Sequence, residues 1–308
     1  MLHDILASAR SYAPQYGNRL ANHLPMAAGA LARMGASDEQ LQRFIEAYAP
    51  RLQARAEAGG EFEQFAAAFA AELTAGGPAT VLRAWLPRLL PGLAASAYHC
   101  LIRTAYAYES GYLPELADAL AYWRTAYVKT ELASRPEQRR PAAALEDVLA
   151  AFGAGRPYSG IILDKMQAAA RDPFFAAGAP VPARLTLDAV RAAVLGLYRQ
   201  CEEFTLLHTV TATHALRVLL PFCGDEKAAC TALWQAHLLA VATVARTVEE
   251  KRGPAAPVPQ AGWEEILACA CDSQDDHTIK LVYTAWEEGK LRDEAAYRAV
   301  AARKLSLS

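Results

Sequence analysis

The chain has 308 residues, 53% of them apolar, which is ample for a sizeable core; alanine dominates and β-branched residues are thin, a mixture that favours helix. Its 31 basic and 33 acidic residues are spread along the chain for a net charge of −2, and the densest basic run, Arg135 to Pro141, is interrupted by Glu137, so nucleic acid is excluded as a partner. None of the six cysteines forms a C-x-x-C, and Cys269-Ala-Cys271 has the wrong spacing for a zinc knuckle; small apolar residues in a reducing compartment are expected, hence a cytoplasmic protein.

The first ten residues carry Asp4 early and no basic region before an apolar stretch, so they do not read as a signal peptide. Asn22 is a good N-cap just before His23, with Pro25 tolerated in the first turn. Ser37 and Gln40 form a capping box, followed by Leu41, Phe44, Ile45, Tyr48 and Leu52 on one stripe. A second helix is predicted from Leu93 to Tyr108, after Pro91-Gly92, and a third from Leu113 to Leu132. Later helices are predicted over Thr186 to Glu203, part of Thr205 to Leu220, Asp225 to Glu250, Trp263 to Cys271, Asp276 to Glu288 and Arg292 to Lys304. The most apolar of these, Thr231 to Arg246, carries Gln235 and His237 and is shorter than the ~20 residues a bilayer span needs. It reads as a buried core helix, and no membrane partner is expected. Three Pro/Gly-rich segments are predicted loops: Ser134 to Pro141, Arg171 to Arg184, which is expected to be exposed and mobile, and Arg252 to Gly262. No hairpin, alternating strand or repeat is predicted. The expected fold is all-α, a single compact multi-helix domain over residues 1–308.

Seven histidines stand at 3, 23, 99, 208, 214, 237 and 277. His99 shares a helix face with Ile102, Arg103 and Tyr106, and His208 is flanked by Leu206, Leu207 and Val210. Both read as buried, and taken singly each reads as a core histidine with its hydrogen bonds satisfied. His23, as a helix-start residue, needs no function. His277 and Lys280 lie three apart on one face, which by spacing alone is a solvated pair. The next turn, "LVYTAW", looks core-facing, however, and a lysine held there has a lowered pKa. Its neutral amine can capture carbon dioxide as a carbamate, and that anionic oxygen would offset a divalent charge otherwise surrounded by neutral imidazoles. Rival site types lack their motifs. Neither Glu-x-x-His nor H-E-x-x-H occurs, and Gly153 to Gly160 ("GAGRPYSG") lacks the third glycine and the preceding strand of a dinucleotide fingerprint.

Four blocks, "NHLPMAAGALARMGAS", "AYHCLIRTAY", "FTLLHTVTATHALR" and "DDHTIKLVYTAW", have the order and separation of the questin oxidase-like family, which the chain resembles from Tyr16 to Trp286. That family includes enzymes of aromatic polyketide biosynthesis that open anthraquinone rings. Some are Baeyer–Villiger-type oxidases, and one subgroup consists of non-haem iron dioxygenases in which four histidines and a carboxylated lysine hold the iron. The resemblance implies His23, His99, His208 and His277 as ligands of a buried iron, one from each block, and Lys280 as the carboxylated lysine. His214, six residues after His208, is about 240° around an ideal helix and is kept as a supporting or alternate ligand. His237 matches no block and reads as core. Tyr98, Tyr106 and Trp286 are candidates to line a cavity or to be plain core. The implied function is that of a non-haem iron-dependent oxygenase using dioxygen for oxidative ring cleavage of, or oxygen insertion into, a polycyclic aromatic or quinone-like small molecule. Two alternatives remain: an NADPH-dependent Baeyer–Villiger-type monooxygenase, and a non-enzymatic helical binding protein whose histidines are structural.

Overall fold

Side-chain caps set the starts of several helices. The computed structural model describes residues 2–156, 158–255 and 257–307. Along them run α1 (Leu2–Ala9), α2 (Leu24–Met34), α3 (Asp38–Tyr48), α4 (Gly60–Leu89), α5 (His99–Ser110), α6 (Leu113–Thr125), α7 (Pro141–Phe152) and α8 (Ile162–Ala169). They continue with α9 (Pro173–Ala176), α10 (Leu187–Gln200), α11 (Phe204–Leu219), α12 (Glu226–Lys251), α13 (Trp263–Cys271), α14 (Asp276–Gly289) and α15 (Glu294–Lys304). The predicted capping box of Ser37 and Gln40 starts α3. Thr186, Asp225 and Asp275 start α10, α12 and α14 by accepting from the N–H groups of Ala189, Ala228 and His277. Each takes up a donor that the first turn leaves without an intrahelical acceptor. Of the loops predicted above, Ala256 of the third lies outside the described residues, as does Pro157 of the glycine-containing stretch.

The all-α class holds, with departures in detail. Helices α1, α4, α7 and α8 form where no stripe stood out, because alanine serves both core and surface and blurs the contrast between faces. Gly77, at φ +72°, breaks α4 in a conformation that glycine reaches without a Cβ penalty. Helix α5 starts at His99 rather than Leu93, since Ser96, Ala97 and Tyr98 all have positive φ. Helix α6 ends at Thr125, and the N–H groups of Thr130 and Glu131 go to Pro91 O instead. The length argument for the apolar helix also fails: α12 has 26 residues, enough to cross a bilayer, and the Gly60–Gly92 stretch, with 33, is long enough too. Of the most apolar window of α12, 78% is buried within the protein, as a core helix requires, against 28% for the Gly60–Gly92 stretch.

Two small strand pairs also appear. Strands β1 (Gln15–Tyr16) and β2 (Leu20–Ala21) pair antiparallel around a turn in which Gly17 and Arg19 have positive φ. Strands β3 (Ser134–Glu137) and β4 (Ala179–Pro182) pair parallel, and they occupy two of the predicted loops. Prolines hid them, yet Pro136, Pro180 and Pro182 only withhold donors that so small a ladder does not use. The 171–184 stretch is therefore neither exposed nor loose throughout. Phe175 is buried and stacks on Phe152, and Trp234 Nε1 donates to Pro180 O at 2.8 Å.

The chain divides into two compact units. The first comprises Met1–Val81, Ile102–Thr125 and Ala256–Ser308. In it α14 packs on α2, α13 and α15, and α2 also meets α1 and α3, around a core that includes Met26, Leu31, Phe44, Ile279 and Tyr283. Two buried ionic groups brace this unit. Arg103 pairs with Glu115, and Arg10 and Arg55 both donate to Asp118. The second unit comprises Leu82–Leu101 and Ala126–Ala255. There α12 is the central element, packed by α7, α8, α10, α11 and β4 around Trp234, Leu238, Leu239 and Val241.

Candidate metal centre

In the first unit the start of α14 lies against the start of α2. Asp275 caps α14, accepting from His277 N at 3.0 Å and from the Thr278 hydroxyl at 2.7 Å. The next residue, Asp276, is thereby placed in the first turn with its carboxylate among buried rings. One oxygen accepts from His277 Nδ1 at 3.1 Å and the other from His23 Nδ1. His23 is the residue just before α2, where its N–H donates to the Tyr48 hydroxyl at 3.1 Å and Asn22 Oδ1 takes the Leu24 N–H. The two imidazoles meet edge to face, with centroids 4.7 Å apart. Lys280, one turn further along α14 and 1% exposed, brings Nζ to 3.2 Å from His23 Nδ1. The solvated-pair reading of His277 and Lys280 does not hold.

Burial sets the protonation of this group. It pushes His23 down to about 3, helped by the positive charge of Lys280, and lowers His277 for the same two reasons. Burial also brings Lys280 down to about 8, against the opposing pull of Asp276 and Asp275. For Asp276 burial acts upward, but hydrogen bonds from His23 and His277 outweigh it and hold the carboxyl below the usual carboxylate range. Neutral imidazoles thus surround an ionised carboxylate, beside an amine closer to neutrality than an exposed lysine. Ligand atoms of Asp275, Asp276 and His277 lie within 4.8 Å of one another, but Asp275 is already committed to its cap.

The second unit holds another imidazole pair. His99 opens α5, and its Nδ1 donates to Ser96 O at 2.5 Å. His208 lies in the second turn of α11, and its Nδ1 donates to Phe204 O at 2.9 Å. Their rings also meet edge to face, with centroids 5.0 Å apart. The carbonyl that orients His99 belongs to a left-handed turn, with residues 96–98 at φ +50°, +53° and +70°. Such a backbone costs about 1–2 kcal/mol per residue.

These bonds sort the seven histidines. A ring whose Nδ1–H donates to an oxygen keeps its lone pair on Nε2, the arrangement that a metal-binding imidazole uses. His23, His99, His208 and His277 all have it. His214 does not, because its Nδ1 accepts from Arg217 at 3.0 Å and the proton belongs on Nε2. His237 contacts Tyr98 through Nδ1 and Thr213 through Nε2, as a core histidine should. His3 directs Nε2 at Ser110 O on the surface. Imidazoles presenting Nε2, found in each unit, and in the first unit a buried amine, are donor types that suit a divalent first-row metal.

Of the aromatic candidates, Tyr98 is fully buried, Tyr106 donates to Lys280 O at 3.4 Å, and half-buried Trp286 has Lys290 Nζ 3.2 Å from its ring centroid. Sequence reasoning gave too little weight to Asp276, although the run Asp275-Asp276-His277 holds both the cap and the ring acceptor. It also missed Tyr48 and the Ser96 carbonyl, which leave no sequence signal. Comparison with known families finds that the questin oxidase-like model matches residues 20–180 and 198–285, a span containing all five predicted ligands. No curated protein matches the chain.

Proposed function

The chain belongs to the questin oxidase-like family, and from that premise we propose that it is a non-haem iron-dependent oxygenase with His23, His99, His208, His277 and a carboxylated Lys280 as ligands. The family points to an oxidase acting on a small molecule. The substrate class we propose is a polycyclic aromatic or quinone-like compound, attacked by oxidative ring cleavage or oxygen insertion. One observation supports this assignment: in the four histidines of the family-matching blocks Nδ1 donates to a carboxylate or main-chain carbonyl oxygen, which puts the ring lone pair on Nε2. Residues 1–308 are proposed to act as one domain.

Iron, when bound, supplies the redox chemistry by which dioxygen is reduced and the aromatic ring attacked. The chain's own residues have separate tasks. Asp276, Ser96 O and Phe204 O fix ring orientation and tautomer. Burial keeps His23 and His277 deprotonated, and it brings Lys280 toward the neutral amine that carbon dioxide requires. Tyr48 ties the His23 backbone to α3.

The test is turnover of a polycyclic hydroxyquinone under ¹⁸O₂ by protein loaded with ferrous iron, with and without NADPH. The expected outcome is iron-dependent dioxygen uptake and a ring-opened product that carries both labelled oxygen atoms, without NADPH consumption. Stoichiometric NADPH oxidation, with one labelled oxygen in the product and the other in water, would replace this proposal with the Baeyer–Villiger alternative. Quinone binding with no dioxygen uptake would leave the non-enzymatic one.

A further inference from the structure

Three successive non-glycine residues in the left-handed region, Ser96, Ala97 and Tyr98, persist only where their surroundings hold them. The turn closes on itself through Tyr98 N donating to Ala94 O at 3.3 Å and His99 N donating to Ser96 O at 3.1 Å. Its side-chain anchor is Tyr98, which is wholly buried and reaches His237 Nδ1 at 3.2 Å. On the far side His237 Nε2 lies 3.0 Å from Thr213 Oγ1, and the Thr213 hydroxyl donates to Thr209 O at 2.7 Å.

The direction of this chain is forced from its far end. A carbonyl only accepts, so the Thr213 proton points at Thr209 O and Thr213 must accept from His237 Nε2–H. Nδ1 then carries the lone pair, and Tyr98 must donate to it. Burial pushes His237 down to about 3, so the ring stays neutral and the order survives across ordinary pH. One end of the chain is the residue before His99, and the other is the residue after His208. An apolar pair of similar volume would pack the same space, but it would leave the turn and α11 without a directional tie.

We propose that His237, which the family-matching blocks do not use, is a positioning residue: through Tyr98 and Thr213 it holds the left-handed turn that aims His99 and the stretch of α11 that carries His208. It thereby fixes the angle at which the two rings present Nε2. This rests on His99 and His208 being metal ligands.

Cobalt(II) is the probe, titrated into metal-free wild-type protein and the variants Tyr98→Phe, His237→Leu and His237→Gln. Kd, the visible ligand-field bands and the Tm before metal addition are measured for each. Tyr98→Phe and His237→Leu are expected to weaken cobalt binding about tenfold or more and to shift the bands, as loss of a ring-orienting contact does. In His237→Gln the side-chain amide can accept from Tyr98 and donate to Thr213, and most of the affinity and the wild-type bands should return. Tyr98→Phe removes a single oxygen and keeps the test open if His237→Leu does not fold. A lowered Tm with unchanged Kd and bands in both Tyr98→Phe and His237→Leu would overturn the positioning role. Wild-type protein that binds no cobalt would instead remove the ligand assignment on which it rests.

Discussion

The two imidazole pairs are built alike but supported differently. In the first unit one side chain, Asp276, accepts from both rings, and Lys280 stands beside them. In the second, each ring donates to a main-chain carbonyl, with Ser96 serving His99 and Phe204 serving His208. A carboxylate brings a full negative charge, so the first pair is electrostatically active and can be altered by exchanging one side chain. The second pair has no charged acceptor at Nδ1 and is controlled through backbone shape. Similar ring geometry is reached by charge in one case and by fold in the other.

Substitutions can break this comparison. The largest effect should come from removing rings: His23→Ala, His99→Ala, His208→Ala and His277→Ala should each lower metal affinity by about 100-fold or more, whereas His3→Ala should not change it. Isothermal titration with ferrous iron under anaerobic conditions checks this. Asp276→Asn comes next. It keeps the shape but loses the charge and one acceptor oxygen, so metal affinity should drop by about 10- to 100-fold. The second pair has no equivalent side chain to remove. Lys280→Arg should also lose metal despite keeping its charge, because a guanidinium cannot form a carbamate. Lys280→Ala should regain part of the binding with bicarbonate and a short-chain acid. A ¹³C carbamate signal from wild-type protein equilibrated with ¹³CO₂, absent from Lys280→Arg, reports the modification directly.

The smallest expected effect on metal comes from Asp118→Asn. Asp118 is another buried carboxylate of the first unit, but it accepts from Arg10 and Arg55 rather than from imidazoles. Burial acts to raise its pKa, and the hydrogen bonds from Arg55 and Arg10 outweigh that and lower it. A lowered carboxylate pKa stabilises the fold above the unfolded value of about 3.9, and that stabilisation is lost as pH falls below it. The substitution should therefore cost about 2 kcal/mol at neutral pH, less in acid, and leave metal affinity unchanged. Urea unfolding at pH 7 and pH 3 checks the sign.

The Ser37–Gln40 capping box placed α3, and apolar periodicity alone placed α10 to α15 closely; the caps Thr186, Asp225 and Asp275, which act through bonds local to their own turns, emerged only in the structure. The strand pairs escaped, since their prolines argue against ladders and the partners are distant in sequence. The left-handed turn escaped because Ser96, Ala97 and Tyr98 have no local preference for it; its anchor, His237, lies 139 positions beyond Tyr98. For the candidate site, spacing alone gave only a His–Lys pair on one helix. The other three histidines came from family blocks, and the bonds at Nδ1 supply a physical reason for choosing those rings over His214 and His237.

Elemental analysis of protein purified from iron-supplemented culture tests the central claim most directly, with the wild type measured beside a His99→Ala/His208→Ala double variant. The prediction is about one iron per wild-type chain and almost none in a variant that remains folded by circular dichroism. Full iron occupancy in the folded double variant would contradict it.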